Sequence, residues 1–163
     1  MIIHKAYKIR IYPNPMQKEI IEKTFGCTRF VYNYFLSERK EKYEKDKISI
    51  NAYKQLLELT ELKRNYLWLK EVDSIALQKC IFNLDKAFEN FYHGKGYPKF
   101  RAKGKHDSYQ TEIRINEYKG VIHESIRIDF KKREIILPKL KKVKFRGYRN
   151  IKYIAGKIKS ATI

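Results

Sequence analysis

Residues 73–98 read DSIALQKCIFNLDKAFENFYHGKGYP and contain the point at which the chain changes character. Apolar side chains recur there at spacings of three and four residues for five turns, which predicts an amphipathic helix with Asp73 as its N-cap. These apolar residues are Leu77, Cys80, Ile81, Leu84, Ala87, Phe88 and Phe91. After Tyr92, closely spaced glycines and Pro98 make a continued helix implausible. The chain is therefore predicted to be helical before Tyr92 and non-helical after it.

Three shorter helical patterns precede this one. They cover about residues 15–25, 28–43 and 51–65, and the first is expected to end at Gly26. Asn14 is a good N-cap, Pro15 suits the first helical position, and Gln17 is placed to close a capping box. Four helices with one apolar face each predict a small bundle.

Short β-strands are predicted on both sides of the helices. Residues 4–12, HKAYKIRIY, alternate imperfectly between apolar and basic side chains and stop at Pro13. Further strands are expected at about residues 112–115, 126–130, 134–137, 142–145, 151–155 and 157–163, with a hairpin turn at 131–133. The predicted fold class is α+β: a small, split antiparallel β-barrel with a four-helix bundle inserted after its first strand. The expected divisions are residues 1–12 (first barrel strand), 13–92 (helical lobe), 93–111 (basic bridge loop) and 112–163 (remaining barrel strands).

The charge is strongly positive and unevenly distributed. The formal net charge is +19, from 37 Lys and Arg against 18 Asp and Glu. Residues 1–92 carry 17 basic and 12 acidic side chains, whereas residues 93–163 carry 20 and 6. Such enrichment in cations is typical of a segment that lies along phosphates, so nucleic acid is the favoured ligand. A basic domain that is merely soluble is one alternative. An anionic membrane surface is a weaker one, because the basic half has strand patterns rather than an amphipathic helix.

Several function classes find no support in the sequence. No apolar run approaches the roughly 20 residues that span a bilayer, and no signal-peptide pattern opens the chain, so a cytoplasmic location without a membrane partner is expected. Cys27 and Cys80 match neither a disulfide framework nor a zinc motif, and no cofactor or metal is expected. The histidines, His4, His93, His106 and His123, are scattered along the chain. No carboxylates cluster as a metal-dependent nuclease requires, so the chain is not expected to be an enzyme.

A resemblance to a known family covers most of the chain. The ordered stretches AYKIRIYPNPMQKEIIEKTFGCTRFVYNYFLSERKEKY, LELTELKRNYLWLKEVDSIALQKCIFNLDKAFENFY, GKGYPKFRAKGKHDSYQT, LPKL and GKIKSATI resemble the N-terminal half of the TnpB family, which insertion sequences encode and which is associated with transposition and DNA recombination. The resemblance implies a split "wedge" β-barrel with an inserted helical recognition lobe. It also implies that complete members are RNA-guided DNA endonucleases whose barrel and lobe hold a transposon-derived guide RNA and help to recognise a target-adjacent DNA motif.

Cleavage in complete family members is assigned to another part of the protein. The resemblance places a RuvC-like domain, with three carboxylates, divalent metal and a zinc-ribbon insertion, after the stretch similar to GKIKSATI. The sequence ends at Ile163, so these parts are expected to be absent. A separately encoded nuclease domain is then a further expected partner, beside guide RNA and double-stranded DNA.

The resemblance also suggests residues that read the DNA motif, near the start of the helix resembling VDSIALQ and on the helix before it. These residues are Tyr53, Ser74, Ile75 and Gln78. Gln78 is the strongest of them, because an amide that faces away from Leu77 and Ile81 can contact a base edge or a phosphate. The alternative is that Gln78 is an ordinary polar helix residue.

Two basic runs are the expected RNA contacts. The first pairs phosphate-neutralising cations with aromatic rings on which bases can stack, and comprises Lys95, Lys99, Arg101, Lys103, Lys105 and Tyr109, with Tyr97 and Phe100 among them. Its aromatic residues have the alternative role of anchoring the loop. The second run comprises Lys139, Lys141, Lys142, Lys144 and Arg146, with Arg149 beyond it. Only about half of these side chains can share one side of a strand.

The sequence thus predicts a TnpB-like N-terminal region that binds guide RNA and contributes to recognition of a target-adjacent DNA motif. One alternative is a stand-alone DNA-binding repressor or transposition accessory protein that acts without RNA. Another is one part of a split RNA-guided endonuclease.

Overall fold

The computed structural model describes residues 4–105, 107–118, 120–146 and 156–163. The helical elements are α1 (Pro15–Asp46), α2 (Ala52–Asn65), a 3-10 helix (Leu67–Lys70) and α3 (Ser74–Tyr92). The strands are β1 (Arg10–Tyr12), β2 (Gln110–Glu112), β3 (Ile115–Tyr118), β4 (Val121–Glu124), β5 (Arg127–Asp129), β6 (Glu134–Leu137), β7 (Lys141–Arg146) and β8 (Ser160–Thr162). The predicted α+β class is confirmed.

The chain divides into two compact units. We call Met1–Ile20 with Glu112–Ala161 the sheet unit, and Ile21–Thr111 with Thr162–Ile163 the helical unit. In the described part of the sheet unit, four strands form an antiparallel sheet in the order β1-β7-β6-β5. The strand expected at 4–12 is limited to Arg10–Tyr12. Its expected pairing with the C-terminal strands is confirmed, since Ile11 of β1 lies opposite Phe145 of β7.

Alternation along the sheet strands separates a buried side from an exposed one. Ile135, Val143 and Phe145 are buried, and register partners across β6 and β7 point the same way. The predicted turn at 131–133 joins β5 to β6, where the carboxylate of Asp129 accepts hydrogen bonds from the backbone N–H groups of Lys131 and Lys132, both at 2.9 Å. These backbone N–H groups hold the pKa of Asp129 below its usual value.

Several strand predictions need correction or stay open. The expected strand at 112–115 is two elements, β2 and β3, and the hairpin of β3 and β4 was not predicted. The expected strand at 157–163 is limited to Ser160–Thr162, which pairs with β2. The expected strand at 151–155 lies outside the described residues, and barrel closure remains a prediction.

The start of α1 follows the predicted capping box. The backbone N–H of Gln17 donates to the Asn14 side-chain oxygen at 2.8 Å, and the backbone N–H of Asn14 donates to the Gln17 side-chain oxygen at 3.0 Å. The Gln17 amide nitrogen also donates to the carbonyls of Leu140 and Lys142, at 2.9 and 2.7 Å. The same side chain therefore fixes both the helix start and the turn before β7.

The prediction that a helix ends at Gly26 is wrong, because residues 15–46 form one continuous helix of 32 residues. Glycine inside a helix costs only about 1 kcal/mol relative to alanine. Buried side chains continue across it at helical spacing, including Ile21, Thr24, Thr28 and Val31. Burial of this stripe outweighs the local preference, so the described residues form three α-helices and a 3-10 helix in place of four helices.

The core of the helical unit brings the three helices together. It includes Val31, Phe35 and Leu36 of α1, Leu59 and Leu62 of α2, and Leu77, Ile81 and Leu84 of α3. The polar side chain of Gln55 is fully buried in the same region. Its amide nitrogen donates to the Phe35 carbonyl and to a Glu38 carboxylate oxygen, both at 3.0 Å, and its oxygen accepts from Nε of Arg39 at 2.9 Å. Gln55 therefore fixes α2 against α1.

Candidate nucleic-acid interface

The basic loop, residues 93–111, is attached to α1 through its backbone. The Asn33 side-chain oxygen accepts from the backbone N–H of Arg101 at 2.8 Å, and the Asn33 amide donates to the Arg101 carbonyl at 3.0 Å. This two-point contact satisfies both backbone groups of one loop residue. Arg101 is thus a fixed point on the helical unit.

The Arg101 side chain is also bound. Its guanidinium carbon lies 4.0 Å from the ring centroid of Tyr32, which is only 5% exposed. Burial raises the pKa of the Tyr32 hydroxyl, and the positive charge of Arg101 partly opposes that rise. Arg101 therefore has a structural role within the helical unit.

A second attachment involves the acidic residue of the loop. Asp107 accepts a hydrogen bond from the Gly104 backbone N–H at 2.9 Å and pairs with the Arg29 guanidinium. The Gly104 N–H and then Arg29 lower the pKa of Asp107. The carboxylate is thus engaged within the unit, whereas Lys99, Lys103 and Lys105 are exposed.

The aromatic residues of the loop serve mainly as anchors. Tyr109 is 5% exposed and packs edge-to-face on Phe25 at 5.8 Å, so the prediction that its ring contacts RNA is not supported by its position. Burial, and then the charge of Asp73, raise the pKa of its hydroxyl. Tyr97 packs against Phe88 and Phe91, with centroids 5.6 and 5.2 Å apart. Phe100 is 58% exposed.

The second basic run divides between a turn and one side of the sheet. Lys139 and Lys141 have φ of +65° and +58° and lie around the turn between β6 and β7. Lys142, Lys144 and Arg146 alternate with the buried Val143 and Phe145 and are exposed. Arg149 lies outside the described residues. The positions of the other residues agree with the expectation that about half of the run shares one side.

Strand β1 adds two residues to the same side that sequence reasoning missed. Arg10 lies opposite Arg146, and Tyr12 lies opposite Lys144. We call Arg10, Tyr12, Lys142, Lys144 and Arg146 the basic face. Their alternation within KIRIY and KKVKFR was readable, but the register that brings the two strands together was not.

The residues expected to read DNA lie along one stripe of the helical unit. Ser74 and Gln78 are four residues apart near the start of α3, and Phe82 follows one turn later. Tyr53 on α2 is 72% exposed and contacts Phe82 edge-to-face at 6.1 Å. Gln78 is half-buried.

Further predicted contact residues lie at the start of α3 and in the basic loop that follows it. Ile75 is half-buried, and its backbone N–H donates to the N-cap Asp73 at 3.1 Å. The Ser74 hydroxyl accepts from Lys63 at 2.6 Å. Lys95 in the basic loop is exposed and donates to the Asn90 side chain at 3.3 Å.

The described residues contain no group of three His, Cys, Asp or Glu side chains placed to hold a metal ion. Both cysteines are buried, and burial raises the pKa of Cys27 to about 11 and that of Cys80 to about 12. Such thiols are inert packing groups at neutral pH. No helix in the described ranges is long and apolar enough to cross a membrane.

Comparison of the sequence with known proteins identifies its family. A family model for the helix-turn-helix domain HTH_OrfB_IS605 matches residues 1–47. Virulence protein VsdF of Salmonella dublin is 38% identical over 111 residues, which cover 61% of this chain and 93% of that protein. A protein of Escherichia coli (strain K12) that is named as an RNA-guided DNA endonuclease, InsQ, is 26% identical over 162 residues, or 98% of this chain. The chain belongs to the TnpB family.

The TnpB-family relatives differ in how much of their own length is matched. The chain spans 37% of InsQ and 26% of a Streptomyces pristinaespiralis protein, also named as an RNA-guided DNA endonuclease, to which it is 32% identical over 106 residues. Membership of this family and the helix-turn-helix model indicate a nucleic-acid-binding function for the region.

Proposed function

We propose that this TnpB-family region binds a transposon-derived guide RNA and contributes to recognition of a target-adjacent DNA motif, while cleavage belongs to other parts of complete family members. The observation that carries the RNA assignment is the basic loop. Asn33 and Tyr32 hold Arg101, and Arg29 engages Asp107, so the loop is ordered before a ligand arrives. A preordered loop does not lose that conformational entropy on binding.

The cations of the basic loop are available to phosphates. Lys99, Lys103 and Lys105 are exposed, and none of the ion pairs found among the described residues includes them. The exposed Lys142, Lys144 and Arg146 provide a second row of cations on the sheet unit. Both sets match a backbone of regularly spaced phosphates.

The DNA assignment rests on the stripe that contains Ser74, Gln78 and Tyr53. A half-buried amide on a fixed helix can form the paired hydrogen bonds that read a base edge. We assign Gln78 the central role, with Ser74 and Ile75 at the start of the same helix and Tyr53 beside it.

A stand-alone repressor that acts as a helix-turn-helix is the second candidate, because the matching family model carries that description. Such a motif needs two helices joined by a short turn, with the second helix in the major groove. The described part of residues 1–47 instead contains β1 and the continuous helix α1. RNA binding by the loop is therefore the better-supported proposal.

A salt titration tests the proposal. Wild-type protein is titrated with the guide RNA and with a DNA duplex at several salt concentrations, beside a triple variant in which Lys99, Lys103 and Lys105 become Ala. Loss of three contacts to single-stranded phosphates is expected to weaken RNA binding and to flatten the slope of log affinity against log salt by about 2.

The matched control replaces the exposed Lys40, Lys45 and Lys47 with Ala, which removes the same charge from the end of α1. The control is expected to flatten the slope of log affinity against log salt by much less, since it alters only the long-range electrostatic field of the protein. Equal effects of the two triple variants on RNA affinity and slope would contradict the assignment of the loop.

A further inference from the structure

The exposed ring of Tyr12 lies among cations on the basic face. The guanidinium carbons of Arg10 and Arg146 are each 5.6 Å from its centroid. Arg10 is two residues before Tyr12 on β1, and Arg146 is the register partner of Arg10 on β7. The pairing of the two strands thus places both guanidinium groups beside one aromatic ring.

A second pair of the same type packs within the helical unit. Arg101 lies 4.0 Å from the ring centroid of Tyr32, and Tyr32 is 5% exposed. Tyr12 is 43% exposed, and its two guanidinium groups stand 1.6 Å further from the centroid than Arg101 stands from Tyr32. The ring of Tyr12 is therefore partly open to a ligand, whereas that of Tyr32 is not.

The surroundings of Tyr12 select an anion that carries a planar group. Lys144 lies opposite Tyr12, and Lys142 follows two residues away on the same side of β7. Glu134, opposite Lys144 on β6, is half-buried and is the acidic residue nearest in register. Two guanidinium groups beside one aromatic ring, with two lysines on the same side of β7, suit a chain of phosphates with bases attached, because the ring offers a stacking surface and the cations neutralise the backbone.

We propose that Tyr12 is a stacking site for an unpaired nucleobase, and that Arg10 and Arg146 bind the phosphates on either side of that base. The proposal rests on the proposed function, because it takes the RNA held by this region as the ligand of the basic face. Bases in a duplex already stack on their neighbours, and only an unpaired base has a face free for the ring. The basic face is therefore specific for single-stranded segments.

The test uses one strand in two states. A 12-nucleotide uridine RNA is titrated alone and annealed to its adenosine complement, against wild type, Tyr12→Leu and Tyr12→Phe. Tyr12→Leu is expected to weaken binding of the single strand by about 5- to 150-fold, the range for loss of one stacked base, and to change duplex binding by less than about twofold. Tyr12→Phe keeps the ring and is expected to stay within about threefold of wild type for both.

Tyr43 provides a matched control, because it is 55% exposed and has one cation, Lys47, at 5.4 Å from its ring. Tyr43→Leu is expected to leave both affinities unchanged. Thermal melts of each variant check that the fold is retained.

Three outcomes would overturn the stacking site: equal losses for strand and duplex, a loss in Tyr12→Phe as large as in Tyr12→Leu, or no loss in either variant. The proposed function survives any of these three outcomes if the wild type binds the single strand and if replacing Lys142 and Lys144 with Ala weakens that binding. If wild type binds neither RNA, both proposals fail.

Discussion

Replacement of Asn33 by Leu should weaken RNA binding without removing a single positive charge. Asn33 makes two hydrogen bonds with the backbone of Arg101, at 2.8 and 3.0 Å. Each bond contributes about 1 kcal/mol net, so the substitution should destabilise the docked loop by about 2 kcal/mol, or roughly 30-fold in its docking equilibrium. Since RNA binding requires the docked loop in our account, its affinity should fall by up to about 30-fold.

The salt dependence distinguishes this effect from loss of phosphate contacts. The lysines of the loop remain in Asn33→Leu, so the slope of log affinity against log salt should stay at the wild-type value while the whole line shifts. Fluorescence anisotropy with labelled guide RNA at four or five salt concentrations measures both quantities. Asn83→Leu, at an exposed position of α3, is the control. An unchanged affinity in Asn33→Leu, or a slope as flat as that of the triple lysine variant, would refute the role given to loop docking.

Three further predictions concern the helical unit. Gln55→Met keeps the side-chain volume but removes hydrogen bonds to Arg39 and other buried groups. The substitution should lower the free energy of unfolding by about 3 kcal/mol and the Tm by roughly 6 to 12 °C. An unchanged urea midpoint would contradict this expectation. Cys27 and Cys80, with pKa values of about 11 and about 12 and buried side chains, should resist a thiol reagent at pH 8 until denaturant is added; rapid labelling of the native protein would disagree. Gln78→Ala should weaken binding of the motif-bearing duplex by about 1 to 3 kcal/mol and leave RNA affinity unchanged, and an equal loss for both ligands would show that Gln78 reads no base.

Features that depend on neighbouring residues were predictable from the sequence. The capping box of Asn14 and Gln17 closes as expected, because both of its hydrogen bonds join residues three positions apart. The same holds for Asp73 as the N-cap of α3. The prediction that a helix ends at Gly26 was wrong because the outcome depends on packing with distant residues. Burial of side chains on both sides of the glycine outweighs the low helix propensity of the glycine itself.

The candidate sites depend on contacts between distant parts of the chain, which the sequence does not specify. Asn33 is 68 positions from Arg101, and Tyr12 is more than 130 positions from its partner Lys144. Composition showed that the basic residues exist but not which of them share a surface. Tyr109 illustrates this limit, since its ring suited either RNA stacking or anchoring, and only packing against Phe25 decides for anchoring.

Guide-RNA binding is tested most directly by identifying the nucleic acid that the protein carries when it is purified from cells containing its own insertion sequence. The protein is isolated at low salt, treated separately with RNase and DNase, and the released nucleic acid is sequenced. We expect a high 260 to 280 nm absorbance ratio that RNase abolishes, and sequencing reads concentrated at the transposon end. Protein that is free of RNA, or that retains only duplex DNA in the same preparation, would contradict guide-RNA binding and favour the repressor.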